Sequence, residues 1–445
     1  MKIKGNIVTI TKLALLGTAS LFAFGSAAYA QDQAADAPVE TAETTTDAAS
    51  ELEFLKAQVE SLQAQINEIQ KKSTATEATW KSATWATETK LSGRMYFNFS
   101  NIDAKSNGAK STANGTGINI KRFYFGVDHT FSPIFSANLT MDVSNVVGNT
   151  ANANFPGAPS NGTCTTLPCT PTITNNVALV GKGFYIKKAY LQAKLSPALI
   201  VRVGAADLPW VPYVENQYGY RHIENTLIDR ISFGTSADWG IHVLGDLADG
   251  LLSYQVSVVN GAGYRNVKVT KSVDVEGRVS AQYKGAYAAV GGYVGKLGND
   301  VQNTSTFHTA KRFNALVGYK NKLFNVGGEY FYAKDYNNNG QNYINSATLA
   351  DKAEGYSVFA NVNFMDKWSA FGRYDHIKPR KDLTSIKDNY FNLGIQYSPV
   401  KIVDLALVYK RDKAENGTIG TTNGTIGGTV DGTYDEVGLF GQFRF

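Results

Sequence analysis

The sequence predicts an all-β protein: a transmembrane antiparallel β-barrel of about 16 strands with a short N-terminal coiled-coil helix. Three observations predict it. Apolar and polar residues alternate with period two from Thr89 onward, short and long connections alternate along the same stretch, and the N-terminus reads as an export signal.

Lys2, Lys4 and Lys12 lead into an apolar stretch from Leu13 to Phe24, and Ala28-Tyr29-Ala30 stands before Gln31. A positive start, an apolar middle and a small-x-small end mark a cleaved secretory signal peptide, expected over residues 1–30. A single anchoring helix, the alternative, would need a longer apolar stretch. Residues 31–50 are rich in Ala, Thr, Asp and Glu without apolar period and read as a flexible linker. Over residues 51–72, Leu52, Leu55, Val59, Leu62, Ile66 and Ile69 recur at spacings of three and four. That rhythm puts one apolar seam on a helix and predicts a short parallel coiled coil. A lone amphipathic helix on a neighbouring surface is the alternative. So few heptads are marginal alone, so the coil implies a homotrimeric barrel that holds its chains together. Residues 73–88, rich in Ser, Thr and Ala, read as a second linker.

From Thr89 the period is two. Leu91, Gly93, Met95, Phe97 and Phe99 alternate with Ser92, Arg94, Tyr96 and Asn98, and Val273 to Tyr283 alternate with Asp274 to Lys284 in the same way. Such a strand has one face on lipid and one on a wet interior. A soluble sandwich strand reads alike, so the connections decide. Strands are expected near 90–100, 118–130, 135–146, 183–195, 199–206, 237–246, 251–260, 273–284, 286–296, 309–320, 323–333, 354–365, 368–377, 388–397, 401–410 and 433–445. Short connections fall at Ser132-Pro133, Ser196-Pro197, Leu247-Asp249, Gly285, Asn321, Asp366 and Ser398-Pro399. Long ones, such as 147–182, 207–236, 334–353 and 411–432, are rich in Asn, Gly, Thr and Ser. Short periplasmic turns and long external loops belong to an outer-membrane barrel; a sandwich has no reason to sort loop length by side. The terminal alternation ends on Phe445, an aromatic end of the kind that outer-membrane assembly machinery reads. Both ends of the barrel, and the coil, are then expected in the periplasm.

Gly (42), Tyr (24) and Phe (23) are plentiful and mean hydropathy is −0.21. Nothing after the signal is apolar enough for a membrane-spanning helix. Residues 31–88 carry eleven acids against four lysines, whereas residues 89–445 carry a net charge of +9. A basic barrel favours small anionic solutes if those charges point inward, and meets lipopolysaccharide if they sit on outer loops; both readings stand. Cys164 and Cys169 share one loop around Leu167-Pro168, where an oxidising compartment favours a local disulfide. The histidines at 129, 222, 242, 308 and 376 show no metal-ligand spacing, and no nucleophile elbow or phosphate loop occurs. No cofactor, metal or nucleic acid is expected. A barrel hydrolase and an envelope-anchoring protein are the competing classes.

Parity directs Arg94, Arg122, Lys188, Lys194, Arg202, Arg278, Arg312, Arg373 and Arg444 to the interior wall, interleaved with Asp128, Asp142, Asp238, Glu276, Glu329 and Asp375. Opposed charges across a wet constriction orient and filter solutes; local pairing among them is the alternative. A slip of one residue would invert a whole strand. The third loop, Asp207 to Ser236, is the expected constriction, because so wide a barrel encloses an aqueous lumen that something narrows. Arg221 and Arg230 are its candidate narrowing cations, with Glu224, Asp229, Tyr218 and Tyr220 beside them. Trp210, Tyr213, Glu215 and His222 lie in the same loop. Its aromatic residues either form a slide for sugars or anions or pack against the wall.

Lys188-Ala189-Tyr190-Leu191, Leu199-Ile200-Val201-Arg202-Val203-Gly204, Pro209-Trp210 and Ile228-Asp229-Arg230 follow one another as strand, turn, strand and third-loop entry. With the leader, coil and terminal Phe, this order resembles the phosphate-selective porin O/P family over residues 50–445. The general trimeric porins are a close second. The resemblance implies a passive trimeric channel, and phosphate or a similar anion as solute; a sugar-specific channel is the alternative. Where that family often has Gln and Lys between the Gly and the Pro, this chain has Ala205-Ala206-Asp207-Leu208.

Overall fold

Apolar residues at heptad spacing form helix α1 (Asp47–Ser82) in a computed structural model, which describes residues 47–82, 84–111, 114–144, 184–302, 308–336 and 350–445. The expected signal peptide and the pair Cys164 and Cys169 lie outside the described residues. The helix runs through residues 73–82, expected as linker, because Ala and Glu among them favour helix and neither Gly nor Pro interrupts it. Its seam residues, Leu52 to Ile69, are between 48% and 66% exposed in the single chain. A one-turn helix, α2 (Thr84–Thr87), follows.

The chain falls into two units, residues 1–77 and 78–445. The second is a closed antiparallel barrel of sixteen strands. Its first strands are β1 (Thr89–Ser106), β3 (Gly115–Thr130), β4 (Phe135–Ser144), β5 (Tyr185–Ser196), β6 (Leu199–Asp207), β7 (Ala237–Leu247), β8 (Leu252–Val259) and β9 (Asp274–Tyr283). The rest are β10 (Ala286–Gly295), β11 (Ala310–Lys320), β12 (Phe324–Lys334), β13 (Lys352–Met365), β14 (Trp368–Lys378), β15 (Lys387–Val400), β16 (Val403–Glu415) and β19 (Gly432–Arg444). A two-residue strand, β2 (Ala109–Lys110), sits in the first long connection. A hairpin of β17 (Thr418–Thr421) and β18 (Gly424–Gly427) sits in the last.

Connections at one rim are short: 131–134, 197–198, 248–251, 284–285, 321–323, 366–367 and 401–402. Those at the other rim are longer. The last short turn is displaced from the expected Ser398-Pro399. β15 continues to Val400, because the Ser398 N–H still finds a carbonyl in the turn that precedes β14, Lys367 O at 2.8 Å. β1 also runs on to Ser106, six residues past its expected end.

Outward positions carry the apolar belt: Leu91, Phe99, Ile118, Val256, Val290, Val317, Val358, Leu393, Leu407 and Leu439 are all exposed. Phe135, Tyr283, Tyr319, Phe324, Trp368, Tyr397 and Phe443 gather toward the short-turn rim, where amphipathic rings suit a membrane–water boundary. Barrel closure pairs β1 with β19. Gly93 and Phe445 exchange backbone hydrogen bonds at 3.0 and 3.1 Å. A side chain at 93 could not be accommodated without displacing the Phe445 ring, since a Cβ there would lie 2.1 Å from it.

Candidate pore and its constriction

The third loop, residues 208–236, folds into the barrel rather than out into solvent. It carries α3 (Val211–Tyr218) and the single turn α4 (Leu227–Arg230). Val211, Val214, Ile223, Leu227, Ile228 and Ile231 are at most 1% exposed, in one apolar cluster with the wall residues Tyr287, Phe331, Phe359 and Phe371. Burying each such aliphatic side chain contributes about 1.5–3 kcal/mol, so the loop is held as a packed layer. That apolar content is unusual for an exposed loop and was the available sequence signal for its inward course.

Polar contacts fix the loop to β9–β16. The Trp210 indole N–H donates to Glu329 at 2.7 Å and its backbone N–H to Glu276 at 3.0 Å. Asn325 donates to the Gln217 carbonyl at 2.7 Å, and the Tyr220 ring stacks on Phe371 at 4.2 Å. Arg373 donates to the Asn225 carbonyl at 2.5 Å. Arg230 meets three aspartates: Asp375 at 3.1 Å, Asp388 at 2.5 Å and Asp412 at 2.8 Å. Glu224 accepts from Thr422 at 2.6 Å and from the Asn225 N–H at 2.9 Å, with Lys410 at 3.4 Å. Burial raises its carboxyl, but Lys410, Lys121 and these donors prevail and hold it well below the usual carboxylate range. The neighbouring His222 has both ring nitrogens without a hydrogen-bond partner. Burial, then Lys121 and Arg444, bring it down to about 3.

This arrangement corrects several expectations. Arg230, Glu224, Tyr218 and Tyr220 do not edge an open pore: each is at most 7% exposed, turned against the wall. Arg278, Arg312 and Arg373 do point inward, but the loop covers them. Arg278 donates to the Pro209 carbonyl at 2.9 Å and Arg312 pairs with Glu276 at 2.7 Å. Arg221 and Asp229 lie on the loop's other side, 3.5 Å apart, with Glu215 2.5 Å from Arg221. Burial raises the Asp229 carboxyl against the pull of Arg221.

The third loop covers the arc from β3 to β6 less than the opposite wall: Arg122, Lys188 and Arg202 there are partly buried, whereas Asp142 and Lys187 are buried. The arc presents Arg122, bonded to Asp142; Lys188, 2.5 Å from Asp207; and Arg202, 2.8 Å from Gln192. Arg94 and Lys194 are exposed, Asp128 accepts from Asn138 at 2.7 Å, and Arg444 pairs with Asp404 at 2.8 Å near the short-turn rim. Asp238 instead binds the Gly261 and Gly263 N–H groups at 2.9 and 3.2 Å.

Two further lysines join this wall against parity. Tyr96 pairs with Arg122 but Phe97 with Ile120, so Lys121 is an extra residue in a β-bulge. Thr140 pairs with Lys188 but Met141 with Ile186, which makes Lys187 the extra residue of a second bulge. Both turn inward: Lys121 donates to the Ile223 carbonyl at 2.8 Å, and the Lys187 ammonium lies 4.6 Å from the centre of the Tyr124 ring. Consecutive pairs, Lys121-Arg122 and Lys187-Lys188, therefore face one side. Period-two reasoning excludes this, and only the paired basic residues hinted at it. Between the third loop and the connection of residues 260–273 is a cavity of about 440 Å³, lined among others by Arg122, Arg221, Asn225, Asp229, Arg265 and Thr422.

No known protein-family model matches the chain, and no curated protein matches it in sequence. Among solved structures, it is similar to an anion-selective porin from Comamonas acidovorans, at 14% identity and a TM-score of 0.55, covering 80% of this chain and 99% of that one. The outer membrane channel DcaP of Acinetobacter baumannii aligns at 13% identity and a TM-score of 0.51, with 80% and 97% covered. A Salmonella typhi OmpF in complex with daunomycin aligns at 12% identity and a TM-score of 0.50, again with 80% and 97% covered. The chain shares the porin fold.

Proposed function

We propose that the protein is an outer-membrane porin: a passive diffusion channel for small hydrophilic solutes that prefers anions. The observation that carries this is the basic arc of β3 to β6, where Lys194 is exposed and Arg122, Lys188 and Arg202 are partly buried, facing a loop packed against the opposite wall. A lumen of this kind is partly filled by protein yet lined by water on its basic side, so anions are concentrated along it. Arg94, Arg122, Lys187, Lys188, Lys194 and Arg202 form the attracting wall; Arg221 and Asp229 narrow the passage from the loop. Arg230 and Glu224 anchor that loop. Diffusion through such a passage needs no catalytic group and no cofactor.

The likeness to an anion-selective porin supports the direction of the preference. Phosphate as the solute rests on the sequence resemblance alone. The exposed heptad seam of α1 supports assembly as a homotrimer, and the basic residues of the longer connections suit contact with lipopolysaccharide. The test is planar-bilayer conductance of the purified protein with the reversal potential in a KCl gradient. Conductance in steps of three with anion preference is expected. Clear cation preference would remove the anion reading, and absent conductance with hydrolysis of lipid or peptide would favour the barrel hydrolase instead.

A further inference from the structure

We infer that the hairpin β17–β18 is a second arm of the constriction, whose tip shields the Glu224 carboxylate from the passage and so preserves its anion preference. This rests on the channel reading above.

The hairpin belongs to the last long connection, where an external loop is expected, yet it is seated inside. Ile419 and Ile426, directly paired across the two strands, are 1% and 4% exposed and share the apolar cluster with Val408, Ala414 and Tyr434 of the wall. A loop in solvent would not bury such a pair. The Gly417 N–H closes the hairpin's base on the Val430 carbonyl at 2.7 Å.

The tip meets the third loop with three polar contacts. The Thr422 N–H donates to the Arg230 carbonyl at 2.9 Å, the Thr422 hydroxyl to Glu224 at 2.6 Å, and the Asn423 amide to Asp412 at 3.3 Å. Thr422 is itself exposed and lines the cavity beside Arg122 and Arg221. Glu224, one residue layer behind it, is 1% exposed. Lys410 is shared between Glu224 and Glu436, the latter nearer at 2.6 Å, and approaches Glu224 only to 3.4 Å. The hairpin thus caps two acidic side chains, Glu224 and Asp412, with neutral hydroxyl and amide groups. Uncapped, the Glu224 carboxylate would add negative charge to a narrow lumen, where field lines are focused and selectivity responds strongly.

The experiment compares single-channel conductance and reversal potential for four full-length proteins in planar bilayers: the parent, one with residues 418–427 replaced by Gly-Ser, Thr422→Val, and the hairpin replacement carrying Glu224→Gln. The hairpin replacement should raise conductance and shift the reversal potential toward cations. Thr422→Val should shift it the same way by less, without depending on refolding of a shortened loop. Glu224→Gln should restore most of the anion preference lost with the hairpin. Unchanged selectivity in both altered-tip variants, or a shift that survives Glu224→Gln, overturns the inference while leaving the channel reading intact. A parent protein that conducts nothing overturns that reading and this inference with it.

Discussion

The Arg230 guanidinium lies 2.8 Å from Asp412, 182 positions away in sequence, and neither side chain is exposed. Two more aspartates share that guanidinium, so one cation holds the third loop to three strands of the wall. Removing the cation leaves carboxylates buried without it, a change that costs about 3–5 kcal/mol in such settings. Arg230→Met should therefore release the loop, seen as chymotrypsin cleavage between Tyr218 and Phe233 in folded protein. Adding Asp388→Asn should recover part of the protection. Equal resistance of Arg230→Met and parent would remove the anchoring role.

The bulge lysines provide a test that period-two reasoning answers the opposite way. Lys187→Gln should reduce anion preference as Lys188→Gln does, because the bulge turns both to the inner side of the wall. If Lys187→Gln leaves the reversal potential unmoved while Lys188→Gln shifts it, the bulge does not direct Lys187 inward.

Acid should loosen the tip of the third loop. Glu224 is held below its usual range, so its stabilisation is present at neutral pH and fades as pH falls through and below that range. His222 lies at about 3 against an ordinary 6.5, so the opened loop takes up its proton first and a penalty on the closed loop grows as pH falls from 6.5 toward 3. At pH 4.5 the histidine alone corresponds to about 2–3 kcal/mol. Amide hydrogen exchange across residues 219–226 should thus speed up between pH 7 and 4.5 after correction for intrinsic rates, and His222→Gln should flatten that dependence. A pH-independent opening equilibrium in the parent would contradict both assignments.

Gly291 sits where the wall passes beneath α3. A Cβ there would lie 2.7 Å from the Trp210 ring and 2.9 Å from the Gly277 carbonyl. Gly291→Ala should push Trp210 off Glu329 and lower thermal stability by about 1–3 kcal/mol, the usual cost of overpacking. Trp210→Phe, which removes the indole donor, should make the added cost of Gly291→Ala smaller. Strict additivity of the two changes would rule out the contact.

Much of this was legible in the residues. Alternation from Thr89, proline-bearing short turns and Asn/Gly-rich long connections identify the barrel, because each of its sixteen strands repeats one local steric rule. The third loop's place in the chain was equally plain. Its inward course is signalled by Ile223, Leu227, Ile228 and Ile231, although its charge and aromatic content single out Arg221 and Arg230 instead.

The sequence by itself determined the strand order, the outward-facing apolar positions and the basic excess of the barrel. Only the tertiary structure decided which charges meet water. Arg230 and Arg221 are nine residues apart in one loop, yet one is sealed against Asp375, Asp388 and Asp412 while the other lines the cavity beside Glu215 and Asp229. Burial of a charge depends on what the closed barrel brings opposite it, on two single-residue bulges at Lys121 and Lys187, and on a hairpin folding in from far along the chain. None of these is a property of neighbouring residues, so no local period could carry it.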